Sequence, residues 1–232
     1  MTFQDLDELK KSAALGAVEF VRDGMVVGLG TGSTAKHMVI ALGEKVRAGM
    51  KLRGVPTSQE TAALAGQYGI PLIDTHNRWE IDVAFDGADQ VDPNFNLIKG
   101  GGGALLKEKI VAASAKQFIV MVDHTKQVSV LGGSFPLPIE IIHFGWSSTV
   151  HHIETLTKSR VVLRERNGTP FKTEAGHLIA DAHIDRIDRP SELETALNLI
   201  PGVVETGLFV GRTNVLIVGT PQGVHTLHVP RK

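Results

Sequence analysis

Apolar positions follow two different patterns along the chain. Up to about residue 130, short apolar runs at 25–30, 52–57, 71–74, 81–86 and 117–123 alternate with stretches of helical periodicity. The runs VVGLG and FIVMVD are apolar at successive positions rather than alternate ones, as strands covered by helices on both faces require. Alternating strand and helix of this kind predicts a Rossmann-like open, mostly parallel α/β sheet.

The turn-forming stretch LGGSFPLP at 131–138 marks a change of pattern. Beyond it, strand 137–143, helix 147–158, strands 160–166 and 177–184, helix 190–200 and strand 203–209 follow in order. This β-α-β-β-α-β succession predicts a smaller ferredoxin-like α+β domain. The apolar run 214–219 reads as one more strand that rejoins the first sheet, making the second domain an insertion. The expected division is 1–132 plus 210–232 for the Rossmann-like catalytic domain and 133–209 for the ferredoxin-like one.

Composition narrows the function classes. With 232 residues, 42% hydrophobic and 21% charged, the chain has enough apolar material for a sizeable core. A net charge of −1 gives no general pull towards nucleic acid or anionic lipid, so neither is expected as a partner and any anion site is local. The absence of cysteine excludes disulfides, thiolate nucleophiles and cysteine-ligated zinc. The N-terminal segment carries acids early, and no apolar run approaches the roughly 18 residues of a membrane span, so a cytoplasmic protein is expected.

Three segments carry candidate chemistry. The first, Gly28-Leu29-Gly30-Thr31-Gly32-Ser33-Thr34, lies between a strand and a helix start, where exposed N–H groups and the hydroxyls of Thr31, Ser33 and Thr34 suit an anion. Serine at 33 and the absence of an acid at the tip of the next strand argue against a dinucleotide fingerprint. The missing lysine before Thr34 argues against a triphosphate loop, so a phosphate monoester is the better guess. The second segment, Asp86-Gly87-Ala88-Asp89-Gln90, follows a strand directly and sets two carboxylates in one turn. The third, Lys99-Gly100-Gly101-Gly102-Gly103, lets the backbone pass close to a ligand with a cation beside it.

Glu108 lies in the helix that follows, which reads as largely buried all round; a buried carboxylate needs a partner or a task. Further cation candidates are Lys10 or Lys11 on the first helix, with Lys10 counted in the substrate-binding set, and Lys126 just beyond a strand. Ser58 to Thr61 reads mainly as a helix cap. The histidines show no zinc-type spacing, and neither a metal nor an organic cofactor is expected.

In their order along the chain, GLGTGST, DGADQ, KGGGGAL with Glu108, and DHTKQV closely resemble the signature segments of the A-type ribose-5-phosphate isomerases. SFPLPIEII, IPGVVETGLF and VGTPQGV extend the likeness over nearly the whole chain. The resemblance implies an enzyme that interconverts an aldopentose phosphate and its ketose through a cis-enediolate, and suggests a homodimer or dimer of dimers. It carries the phosphate and substrate loop onto Thr31 to Thr34, the acidic loop onto Asp86 to Asp89, the lysine-glycine segment onto Lys99 to Gly102, the proton acceptor onto Glu108, and a substrate-contacting lysine onto Lys126. Two departures stand out: Gln90 where the family usually has glutamate, and His124-Thr125 before Lys126. A sugar-phosphate sensor and a nucleotide-linked dehydrogenase are the rival readings; the first gives no reason for the pair Lys99 and Glu108, and Ser33 and the missing acid weaken the second.

Overall fold

The computed structural model describes residues 3–76 and 78–229. They form two compact units: one of residues up to Ala88, Lys107–Lys126 and from Arg212 on, the other of Asp89–Leu106 and Gln127–Gly211. The second unit is wider than the 133–209 segment read from the sequence, because the short strands Gln90–Val91 and Leu97–Ile98 pack with it.

The first unit is built on a six-stranded sheet, ordered Gly223–His228, Val215–Thr220, Phe118–Asp123, Val83–Asp86, Val26–Leu29, Arg53–Pro56. All neighbours are parallel except the first pair. The strand expected to rejoin this sheet does so, Val215–Thr220 running parallel to Phe118–Asp123. Val27, Leu29, Val83, Phe85, Ile119, Met121 and Ile217 pack with Ala13, Ala14 and Ala17 of the helix Phe3–Val18 and with Met38 and Leu42 of the helix Ser33–Arg47. Alanines on the first helix let it lie close to the sheet; a Cβ on Gly219 would run into the Leu9 carbonyl of that helix.

The order of the parallel strands has a direct consequence for function. The chain goes from Val26–Leu29 to one side and then to the other, so the direction of winding reverses between Val26–Leu29 and Val83–Asp86. Such a reversal opens a crevice at the carboxyl ends of the two strands, the usual ligand position in open α/β sheets. The segments beginning at Gly30, Thr57, Gly87 and His124 all leave from that edge.

Three expectations need correction. Residues 71–74 form no strand: a single bridge joins Leu72 to Gly54, since Pro71 offers no N–H and the polar residues Asp74, Thr75 and His76 come two positions after Leu72. The helix Leu105–Ala113 is not buried all round, for Ile110 stands 46% exposed on its outer face. Gly223–His228 is an additional antiparallel edge strand, hidden from pattern reading because all six of its residues are exposed.

The second unit contains the expected split β-α-β topology. Its four strands are ordered Val203–Thr206, Leu137–Ile141, Leu178–His183, Arg160–Leu163, every pair antiparallel. Leu137, Ile139, Ile141, Leu178, Ala180 and Ala182 meet Ile153 of the helix Trp146–Thr157 and Leu197 of the helix Pro190–Asn198 in one core. Two expected strands are broken in ways the pattern hid. The 203–209 run splits at Gly207, where a Cβ would collide with the Lys99 carbonyl, and Leu208–Phe209 joins a separate small sheet with Leu97–Ile98. The 160–166 run is interrupted at Arg164.

One surface pair ties the first unit's sheet to its loops. Asp82 accepts the Val26 N–H at 2.9 Å and the Lys116 ammonium at 2.7 Å. Lys116 first, and the Val26 N–H second, hold the Asp82 carboxyl below the usual carboxylate range, and Asp82 in turn raises the Lys116 ammonium. A depressed folded pKa stabilises above the unfolded value of about 4 and is lost as pH falls through the folded one. Because Lys116 is largely exposed and the pair is screened, Asp82→Asn is expected to cost only about 1 kcal/mol at pH 7. Urea titrations should show that loss shrinking at pH 3; equal losses at both pH values would contradict the assignment.

Candidate active site

The glycine loop and the acidic turn are joined at the winding reversal. Gly30 donates its N–H to the Phe85 carbonyl at 2.9 Å, and Asp86 Oδ1 accepts the N–H of Thr31 at 3.2 Å and of Gly87 at 2.8 Å. A Cβ on Gly30 would lie 2.5 Å from the Phe85 carbonyl and collide with the Asp86 carboxylate, so the close approach demands glycine. Asp86 is buried, so its carboxyl relies on such backbone donors in place of water.

The helix Ser33–Arg47 starts at Gly32, whose φ of 105° suits glycine and whose position supplies no side-chain cap. The first N–H groups of that helix therefore face outward with the exposed Ser33, as an anion site requires. Thr34 is buried beside them. Thr31 behaves differently from the donor expected of it. Its hydroxyl donates to Ser58 Oγ at 2.9 Å, which commits its one proton, and lies 2.7 Å from Thr57 Oγ1 and 3.2 Å from Thr61 Oγ1. Thr61 Oγ1 donates to the Gly30 carbonyl and Thr57 Oγ1 to the Leu29 carbonyl, so the four hydroxyls brace the loop from below. Ser58 also caps the helix Gln59–Gln67 by accepting the Thr61 N–H, as read from the sequence. The bracing by Thr57 and Thr61 was not read, because nothing in a linear pattern places one hydroxyl beside another.

Glu108 is 5% exposed. Its helix crosses the sheet where Gly28 lacks a side chain: a Cβ there would sit 2.5 Å from Val111 Cγ1. Glu108 is three residues before Val111, on the same side of the helix and about 5 Å nearer its start. A crossover helix runs antiparallel to its parallel strands, so that step leads from Gly28 towards Gly30, Thr31 and Asp86. Lys126 ends the 3₁₀ turn His124–Lys126 on the same edge, half-buried, after Asp123 has capped the turn by accepting the Thr125 N–H and hydroxyl. Lys10 lies half-buried in the helix Phe3–Val18.

The remaining expected residues belong to the second unit. Lys99 is 3% exposed, donates its N–H to the Gly207 carbonyl at 2.9 Å, and holds its ammonium 5.4 Å from the centre of the Phe209 ring. That distance is within cation–π range. Asp89 Oδ2 accepts the Gly101 N–H at 2.9 Å. Gln90, the departure from the family pattern, is fully used: its amide accepts the Gly132 N–H at 2.8 Å and donates to the Gly132 carbonyl at 2.9 Å. A carboxylate accepts only, so glutamine is the residue this two-way clasp needs. Phe209 and Gln90's clasp carried no signal of their own in the sequence.

Gly30→Ala tests the junction. Displacing Asp86 or the Phe85 carbonyl is expected to cost about 1–3 kcal/mol of stability and to lower turnover in the folded remainder. An alanine variant with wild-type melting and wild-type activity would show that the two loops need not touch.

Comparison with known proteins adds an independent finding. Residues 53–223 match the family model of ribose 5-phosphate isomerase A (phosphoriboisomerase A). The ribose-5-phosphate isomerase A of Nitrobacter hamburgensis is 51% identical over 96% of this chain and 98% of its own, and that of Gloeobacter violaceus is 50% identical over 96% and 97%. Among solved structures, a D-ribose-5-phosphate isomerase in complex with phospho-erythronic acid superposes with a TM-score of 0.93 at 43% identity, covering 96% of this chain and 99% of that one. Ribose 5-phosphate isomerase A from Methanocaldococcus jannaschii superposes at 0.90 with 42% identity, over 95% of this chain and 98% of the other.

Proposed function

The chain belongs to the ribose 5-phosphate isomerase A family and is an aldose–ketose isomerase of pentose phosphate metabolism, and we propose that Glu108 is the base that moves its proton. The observation that carries this is the buried carboxylate of Glu108, set one helical turn beyond the Gly28 crossing on the side of Thr31 and Asp86.

The reaction converts D-ribose 5-phosphate to D-ribulose 5-phosphate. Glu108 takes the proton from C2 of the open aldose, giving a cis-enediolate, and returns it to C1, while the hydroxyl proton passes from O2 to O1. The Lys99 ammonium stabilises the oxyanion that develops. Asp86 and Asp89 hold hydroxyls and assist ring opening. The helix-start N–H groups, Ser33 and Thr34 anchor the phosphate, with Gly32 giving it access and Lys10 and Lys126 adding positive charge. Gly87, Ala88 and Gly100 to Gly102 contact the sugar through their backbone. A positioned base supplies about 10²–10⁴ in rate and an oxyanion donor about 10²–10³.

The solved relative's phospho-erythronic acid supports the enediolate reading. Its carboxylate is planar and spreads charge over two oxygens, as the intermediate does, with a phosphate on the same short chain. Among the described residues no three His, Asp or Glu side chains cluster as metal ligands would. Glu108→Gln should abolish ribulose 5-phosphate formation with phospho-erythronic acid still bound, and chelator should leave the wild-type rate unchanged. Near-normal turnover by the variant would end the assignment.

No helix among the described residues is long and apolar enough to cross a membrane; a cytoplasmic location is part of the proposal. The assembly is proposed to be a homodimer or a dimer of dimers. Light scattering on a size-exclusion column should give two or four times 24.9 kDa; a 24.9 kDa peak across the concentration range would refute it.

A further inference from the structure

We infer that Arg164, locked by Asp181, is a positioning residue that sets the backbone of the glycine loop and, through it, the carboxylate of Asp89. The inference rests on the proposed roles of Lys99 and Asp89. It starts from the interruption in the second unit's sheet. Arg164 falls between Arg160–Leu163 and Glu165–Arg166, with its own N–H given to the Ile179 carbonyl and its carbonyl taken by Phe171. Its backbone is thus fixed, and its side chain leaves the ladder.

That side chain makes two sets of contacts. Nε donates to Asp181 Oδ2 at 2.8 Å and Nη2 to Asp181 Oδ1 at 2.5 Å, a two-pronged ion pair with both side chains about one-sixth exposed, at 16% and 15%. The remaining nitrogen, Nη1, donates to the carbonyls of Gly100 at 2.8 Å and Gly101 at 3.0 Å. Asp181 leaves the guanidinium one orientation, and in it one nitrogen gathers two successive carbonyls.

The geometry of the peptide unit turns this into a statement about the site. Because a trans peptide sets C=O and N–H on opposite sides, holding the Gly100 carbonyl aims the Gly101 N–H away from Arg164. That N–H is the one that meets Asp89 Oδ2 at 2.9 Å. Holding the Gly101 carbonyl turns the Gly102 N–H to the same side. A run of glycines has no side chains to choose among backbone states; within the loop the Gly103 N–H reaches the Gly100 carbonyl, at 3.0 Å, and Arg164 adds its hold from outside. Phe171 closes the far end: a Cβ on Gly103 would lie 2.5 Å from its ring, which Arg166 covers at 4.7 Å. Lys99, next to Gly100, is carried by the same backbone. A lysine at 164 would supply a point charge without the fork, so it serves poorly here.

The test compares Arg164→Met, Arg164→Lys and the pair Arg164→Met with Asp181→Leu, assayed on the full enzyme with Glu108→Gln and Lys99→Met beside them. Displacing reacting groups by about 1 Å is worth up to about a hundredfold. Arg164→Met and Arg164→Lys are each expected to lose about tenfold to a hundredfold in kcat, with phospho-erythronic acid weakened in step. The inhibition constant of inorganic phosphate, a ligand of the other loop, should stay at its wild-type value. The double variant, which leaves no lone charge, should recover melting temperature and remain slow. Wild-type kcat in either single variant, recovery of kcat with stability in the double variant, or loss of phosphate binding in parallel with kcat each overturns the inference. Should Arg164→Met fail to fold, Asp181→Asn is read the same way, with a fall in kcat at unchanged phosphate inhibition expected and wild-type kcat fatal. Normal turnover by Glu108→Gln and Lys99→Met would instead overturn the underlying site assignment.

Discussion

Two parallel strands approach each other so closely at their carboxyl ends that one of them must end in glycine, and the first unit is arranged around that contact. At Gly30 there is no room for a methyl group between the chain and Asp86 or the Phe85 carbonyl. The N–H groups of Gly30 and Thr31 are consequently given to Phe85 and Asp86, which joins the glycine loop to a carboxylate. This junction coincides with the reversal of strand winding, where the sheet opens. A second close approach, Gly28 under Val111, lets the helix bearing Glu108 lie flat on the same strands. Two missing side chains thus fix the positions of the loop, Asp86 and the helix that carries Glu108.

Those features were legible because local rules and global fold agree there. Buried parallel strands need continuous apolar runs, and glycine-rich turns before helix starts have few other uses. The order of elements gave the split β-α-β unit for the same reason, its strands and helices alternating with clear periods. The exposed strand Gly223–His228 was invisible since nothing in its sequence needs burying. The break at Gly207 was invisible for the opposite reason: it responds to the carbonyls of Lys99 and Pro138, more than sixty residues away along the chain.

Site residues divide in the same way. Asp86, Lys99 and Glu108 show in the sequence through their residue type beside glycine or inside an apolar helix. Thr57, Thr61, Phe209, Asp181 and Arg164 do not, since a hydroxyl, an aromatic ring or an ion pair at these positions is ordinary until the fold sets it against another group. Thr31 shows the cost of reading residue type alone. Its hydroxyl suggests a ligand donor, and the structure sets that hydroxyl among three others, with its proton given to Ser58, a contact that no residue type announces.

Rigidity of this kind is what the reaction asks for. Moving a proton between adjacent carbons requires base, electrophile and anchored phosphate to keep their distances while the substrate changes from one carbonyl form to the other. Flexible glycine loops can deliver backbone donors close to the sugar, but alone they lose that precision to conformational entropy. The chain meets the conflict by bracing each glycine segment from outside: hydroxyls of Thr57, Ser58 and Thr61 under Thr31, and the guanidinium of Arg164 on the carbonyls of Gly100 and Gly101. The flexible segments are therefore glycine and backbone, while the groups that fix their positions are polar side chains from neighbouring elements, and selection for catalysis should act on both.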